Sequence, residues 1–124
     1  VLKVASDEKI EEDVREEEDD AIYCAACGGL VTRGRWRISM NGDHEHTVFN
    51  PAGIVFRVVC FKEAPGVGAV GEPSGEFTWF RGYDWQVALC RGCNVHIGWQ
   101  YAGEQEPQVF FGLIAPKLTN APPR

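Results

Sequence analysis

Long apolar runs are missing from this chain of 124 residues. No window approaches the roughly 20 apolar residues that a membrane-spanning helix needs. There is no basic excess either: 12 Lys and Arg stand against 18 Asp and Glu, a formal net charge of −6. Without a basic stripe, binding to a phosphate backbone is disfavoured, since it needs several Lys or Arg on one face. The first twenty residues lack the basic start and apolar middle of a secretion signal, and a cytoplasmic location is the expectation. Outside those residues no segment keeps helical periodicity for ten positions. Neither a locally supported Ser/His/Asp arrangement nor a glycine-rich phosphate loop occurs. The length suits one domain with a single core.

The acid is concentrated at one end. Residues 1–20 hold ten acids and three bases, whereas residues 21–124 hold eight and nine. A self-repelling, aromatic-free run such as Glu11-Glu12-Asp13 through Glu16-Glu17-Glu18-Asp19-Asp20 predicts a solvated, disordered tail. A docking segment for a basic partner is the alternative.

Five cysteines are present, and four of them form two C-x-x-C pairs, Cys24/Cys27 and Cys90/Cys93. Each pair can wrap a turn so that both sulfurs face one point, and two such knuckles supply the thiolates of one tetrahedral zinc site. Gly28, Gly29 and Gly92 let the backbone turn tightly beneath the metal. Disulfides would suit a secreted chain, but an odd count leaves one thiol over. A redox C-x-x-C needs a βαβ setting that is not evident. Four sulfur ligands leave no position for water, so the zinc is expected to be structural. The fifth, Cys60, lies in the β-branched and aromatic run Ile54–Phe61, which predicts a buried, inert thiol.

The remainder predicts an all-β domain of small sheets, with zinc joining its two halves. Strands are expected at 30–32, 36–40, 47–49, 54–61, 77–80, 85–89, 97–101 and 109–113. Turn residues separate them: Asn41-Gly42-Asp43, Asn50-Pro51-Ala52-Gly53, Glu72-Pro73-Ser74-Gly75 and Ala102-Gly103-Glu104. Asn120-Ala121-Pro122-Pro123 cannot form a central strand.

Three of the four tryptophans, Trp79, Trp85 and Trp99, fall within 21 residues. Aromatics recur two apart as Phe77/Trp79, Tyr83/Trp85 and Trp99/Tyr101, a spacing that places both members on one strand face. Such rings are core or the lining of a pocket; the indole N–H, which wants a partner when buried, favours a pocket. An aromatic cage suits a quaternary ammonium or a compact neutral ring whose edge bonds to backbone groups, and Glu76 beside it leaves the cationic option open.

These residues carry a resemblance. The segments Glu76 to Trp85, Cys90 to Trp99 and Phe110-Phe111-Gly112-Leu113, with Phe49-Asn50-Pro51-Ala52-Gly53 and the first knuckle, resemble the CULT domain, the thalidomide-binding domain of cereblon. The likeness spans about residues 22–115 and is close to the single-domain bacterial members, which lack the ubiquitin-ligase portions. It implies a β-tent of two antiparallel sheets meeting at a zinc site on Cys24, Cys27, Cys90 and Cys93. A CULT-like domain over 21–116 would then lie between the acidic tail at 1–20 and a C-terminal tail at 117–124. The resemblance further implies a pocket for cyclic imides, such as the glutarimide ring of thalidomide-type drugs, or for uracil. Trp79, Trp85 and Trp99 would form three walls and Tyr101 a fourth. The backbone of Phe77 and Trp79 would bond the imide edge, and Asn50 would reach a carbonyl on larger ligands. C-terminal cyclic imides on damaged proteins belong to the same ligand class. Two departures stand out: Phe77 and Ala52 occupy positions where cereblon has histidine.

Two rival functions remain. Methionine sulfoxide reductases of the B type are similar in fold and carry paired zinc C-x-x-C motifs, but they need an exposed, activated cysteine, and only Cys60 is left over. A methyl-ammonium reader would use the same cage. His44-Glu45-His46 could start a second metal site, although no further ligand is in view. His96 could support a ligand sulfur from behind or simply pack. The expected role is binding and not catalysis.

Overall fold

The computed structural model describes residues 20–122. Among them are nine strands and no α-helix: β1 Ala21–Cys24, β2 Leu30–Arg33, β3 Glu45–Phe49, β4 Val55–Phe61, β5 Val67–Ser74, β6 Tyr83–Cys90, β7 His96–Gly103, β8 Val109–Ile114 and β9 Leu118–Thr119. They form two antiparallel sheets, a small one ordered β2-β1-β9 and a large one ordered β3-β4-β8-β7-β6-β5. The all-β, two-sheet expectation therefore holds. The acidic segment lies outside the described residues except for Asp20. Far from being solvated tail, Asp20 accepts a 2.7 Å bond from Arg35 Nε, and its carbonyl accepts one from Gly34 N.

The large sheet is covered on both faces, which divides the core in two. One cluster joins Ile22, Cys24 and Val31 of the small sheet to Phe61, Val67, Ala88, Cys90, Ile97 and Leu113. The second, on the opposite face, gathers Val58, Cys60, Phe80, Tyr83, Trp99, Tyr101 and Phe110. Strand alternation explains most of this sorting: Cys60 and Phe61 point to different clusters because successive side chains point to opposite faces. Ile97 and Trp99 break the rule, since residues two apart should share a face. The cause is a β-bulge. Ala88 pairs with Gly98 and Leu89 with His96, so Ile97 is the extra residue. It turns into the inter-sheet core and brings His96 onto the same face as Trp99.

Several expected elements differ. Residues 36–40 form no strand: a 3-10 turn over Gly34–Trp36 is followed by isolated bridges at Arg37 and Met40. Residues 77–80 form a loop. There the Thr78 hydroxyl donates to the Phe80 carbonyl at 3.2 Å and accepts from Phe80 N at 3.4 Å, so a side chain takes the place of a ladder partner. Strand β5 runs through the Glu72-Pro73-Ser74 segment expected to turn; a register irregularity between Val70 and Ser74 accommodates Pro73 on this edge strand. Ala102 and Gly103 likewise belong to β7. Beyond the boundary expected at 116, β9 pairs with β1 through Leu118 and Thr119. The Asn41-Gly42 turn is as expected, with φ of 52° and 90°.

Gly112 sits where strands and rings crowd. A Cβ there would lie 2.8 Å from Val58 Cγ1 and 3.0 Å from Tyr101 Cε2. The missing side chain is the space that Tyr101 occupies. Gly112→Ala is expected to cost about 1–3 kcal/mol through overpacking, read as a lowered midpoint in urea unfolding at unchanged slope.

Candidate metal site and aromatic pocket

The two cysteine turns are built alike. Gly28 N bonds the Cys24 carbonyl at 2.8 Å, and Asn94 N bonds the Cys90 carbonyl at 2.8 Å. Cys24 N reaches the Gly29 carbonyl at 2.8 Å and Cys90 N the Val95 carbonyl at 2.9 Å. Gly28 and Asn94, each four residues after the leading cysteine, are both left-handed, with φ of 78° and 64°. Asn94 is thus the counterpart of a glycine, which asparagine can replace because it tolerates this region. Its role was not read from the sequence. Gly29 N and Gly92 N also donate to sulfur, at 3.4 Å each.

These turns close on one point. The sulfurs of Cys24, Cys27, Cys90 and Cys93 all lie within 4.8 Å of one another. Cys24 and Cys93 are 3.9 Å apart and Cys27 and Cys90 3.7 Å. Ligands at about 2.3 Å from a tetrahedral zinc would be about 3.8 Å from one another. The donor set could therefore hold a metal ion of that size. It bridges the end of β1 in the small sheet and the end of β6 in the large one. Lys117 ties the same corner: its carbonyl accepts from Ala25 N at 2.9 Å and its Nζ donates to the His96 carbonyl at 2.6 Å.

On the far face of the large sheet lies an apolar cavity of about 440 Å³, within the span of small-molecule sites. Its floor follows from register. Trp85 pairs with Tyr101 and Val87 with Trp99, so four side chains of β6 and β7 stand in one block. Trp79 comes from the 75–80 loop and meets Trp99 edge-on, ring centroids 4.8 Å apart. Phe56 and His96 flank Trp99 at 5.2 and 4.9 Å. All three expected indoles line the cavity, together with Asn50, Phe77 and Tyr101. The indoles are neither scattered nor packed shut.

Hydrogen bonds set the orientation of two of them. Trp79 Nε1 donates to the Phe49 carbonyl at 2.9 Å and Trp85 Nε1 to the Glu76 carbonyl at 2.7 Å. The first fastens the 75–80 loop to the end of β3 and the second fastens it to β6. Phe77 has a φ of 55°, a left-handed conformation that costs a non-glycine residue roughly 1–2 kcal/mol. The residue is 73% exposed. Neither the Phe77 carbonyl nor the Trp79 amide takes part in a hydrogen bond within the described residues. An acceptor and a donor are thus free at the rim. Asn50 Oδ1 is engaged by Ile54 N at 2.9 Å, which leaves its amide NH2 for a ligand.

Phe77 and Trp79 reach the cavity from a loop, not from one strand face as period two implied. Tyr83 does not line it: its hydroxyl donates to the Pro107 carbonyl at 2.7 Å and its ring packs on Phe110. His96 supports no sulfur. Its Nε2 donates to the Gly98 carbonyl at 3.0 Å, the ring forms part of the cavity wall, and burial lowers its pKa. Phe56 and Val87 were not singled out; their positions on β4 and β6 resemble ordinary core positions. His44 and His46 bond the carbonyls of Ile38 and Asp43, and no second group of metal ligands occurs among the described residues. Cys60 is fully buried, and burial pushes its thiol up to about 12.

The fold and the four-cysteine corner define an all-β domain of two antiparallel sheets with a cluster able to hold a metal. No family model matches the chain. It is, however, 33% identical over 106 residues to the protein cereblon of Drosophila virilis, covering 77% of this chain and 16% of that protein. To the protein cereblon of Drosophila mojavensis it is 33% identical over 98 residues, 73% of this chain and 14% of the relative. For Drosophila melanogaster the match is 32% over 98 residues, again 73% of this chain, and 16% of the relative. The chain thus spans about a sixth of the length of these relatives, and it is a cereblon-like domain of the CULT type. No helix among the described residues is long and apolar enough to cross a membrane.

Proposed function

We propose that this domain is a non-catalytic binding module that holds a small cyclic imide in a box of three indoles, on a scaffold closed by one structural zinc. The observation that carries it is the pairing of an apolar cavity lined by Trp79, Trp85 and Trp99 with unbonded backbone groups at Phe77 and Trp79. An imide offers acceptor, donor and acceptor along one edge. Its N–H would donate to the Phe77 carbonyl, and one of its carbonyls would accept from the Trp79 amide. The opposite edge of a glutarimide is aliphatic and suits indole faces. Asn50 and the exposed Phe77 ring would meet whatever the imide is attached to, a drug or the end of a polypeptide. With roughly eight heavy atoms and at most about 1.5 kcal/mol each, micromolar affinity, about −8 kcal/mol, is reasonable for the ring alone.

Zinc suits four thiolates at these separations better than a hard cation, which prefers oxygen. The metal would hold the β1 and β6 ends together while the cavity residues bind. A reductase is disfavoured because Cys60, outside the cluster, is sealed and hard to ionise. The cavity is open enough at Glu76 to keep a methyl-ammonium ligand as the contrasting case.

A tryptophan-fluorescence titration with glutarimide, uracil and trimethyl-lysine separates these readings. Saturable quenching by the two neutral rings, at micromolar to sub-millimolar concentration, is expected, with none by the cation. Response to trimethyl-lysine alone would overturn the imide assignment.

A further inference from the structure

The four cysteines of the metal corner divide by exposure. Cys24 and Cys90, which open the two knuckles, are 1% and 2% exposed and belong to the inter-sheet core. Cys27 and Cys93, which close them, are exposed. The buried pair ends strands β1 and β6, whereas the exposed pair lies in the turns beyond them. Glycine keeps one exposed sulfur uncovered: a Cβ on Gly92 would lie 3.0 Å from Cys27 Sγ, and one on Gly29 would lie 3.4 Å from it. Solvent therefore reaches one sulfur from each knuckle, and these two lie within 4.8 Å of each other.

We infer that Cys27 and Cys93 form an oxidation site: a peroxide joins them as a disulfide across the two knuckles, and that bond fastens the corner in place of the metal. The thiolate is the reactive form of cysteine, and metal binding holds its ligand sulfurs deprotonated. One of the two sulfurs attacks a peroxide oxygen. The O–O bond breaks and, with one proton taken up, a sulfenic acid and a water form. The second thiolate attacks that sulfur, and with a second proton the hydroxyl departs as water. Two electrons pass from sulfur to the peroxide in all. Cys24 and Cys90 remain, two ligands where structural zinc takes four, too few to retain it. A bond within either knuckle would need a core sulfur and would leave the two sheets unfastened. The cross-knuckle bond instead closes nearly the same long loop as the metal, and so restrains the unfolded chain in a similar way. Chelation removes the fastener; oxidation exchanges it. Cys60 takes no part, being fully buried and hard to ionise.

The inference rests on the structural-zinc reading, and the experiment keeps the two apart. The full chain is loaded with zinc, its metal content is measured, and hydrogen peroxide is added in steps. A zinc-binding dye follows release, far-ultraviolet circular dichroism follows the fold, and tryptic mapping without reductant locates the bond. Cleavage after Arg91 parts Cys90 from Cys93, so the expected product links residues 16–33 to residues 92–117, with fragmentation placing the bond at Cys27. One such disulfide per zinc released is expected. The β signal should persist until dithiothreitol and a chelator are added together. A bond within either knuckle, a bond to Cys60 or to another chain, zinc retained in excess peroxide, or loss of the β signal in step with release would overturn the exchange and leave the zinc reading intact. A chain that never takes up zinc would overturn both.

Discussion

Stripping the metal from the four-cysteine corner is expected to unfold the domain cooperatively. Structural zinc at four ligands contributes an apparent ~10–16 kcal/mol near neutral pH. Single domains have only about 5–15 kcal/mol of net stability, so the first quantity is large enough to cancel the second. The geometry says why little would remain. Residues 28–89 separate the two knuckles, and the small sheet has just three strands, one of them the two-residue β9. Contacts such as Ile22 and Val31 against Phe61 and Leu113 are shared between the sheets, so they are lost when the corner opens. The check is far-ultraviolet circular dichroism alongside a colorimetric assay of released zinc. Loss of the β signal should track release at one metal per chain, and an unaltered spectrum after full removal would refute the scaffold role.

Trp85→Ala is expected to abolish imide binding, by at least a hundredfold, with zinc content unchanged. Two effects add. One wall of the cavity disappears, and truncating a large aromatic at the centre of a binding site typically costs 2 kcal/mol or more. The 2.7 Å tether from Trp85 Nε1 to the Glu76 carbonyl also goes, which frees the loop that presents the Phe77 and Trp79 backbone. Trp85→Phe separates the two, because it keeps a ring and deletes the tether; intermediate affinity is expected. The metal should be unaffected, since Trp85 and Cys90 stand about 16 Å apart along β6. Quenching by glutarimide that persists in the alanine variant would count against the cage.

What could be read from the residues, and what could not, follows from the range of the interactions. The four-cysteine corner was legible because sulfurs that could hold one metal come as short, closely spaced pairs. The aromatic pairs at 83/85 and 99/101 were legible because alternation is a property of any strand. The 75–80 loop was not, because Phe77-Thr78-Trp79-Phe80 has strand composition. The Thr78 side-chain bonds, the 3.4 Å bond from Thr78 N to the Gly75 carbonyl and the positive φ of Phe77 show that it turns. Strand β5 was hidden by Gly68, Gly71 and Pro73, residues that weaken a strand yet are tolerated at a sheet edge. His96 was hidden by the bulge beside it, since period two sends it away from Trp99. Nothing local marks Ile97 as the unpaired residue; the requirement comes from the sheet beneath, which needs an apolar side chain there.

That extra residue constrains how the domain can be altered. A point substitution at Trp85, His96 or Tyr101 changes what the box prefers. Deleting that one extra position would instead erase the bulge, and the inter-sheet core would lose the apolar side chain that Ile97 puts there. Redesign for new heterocycles therefore has latitude in side-chain identity and almost none in chain length along this stretch.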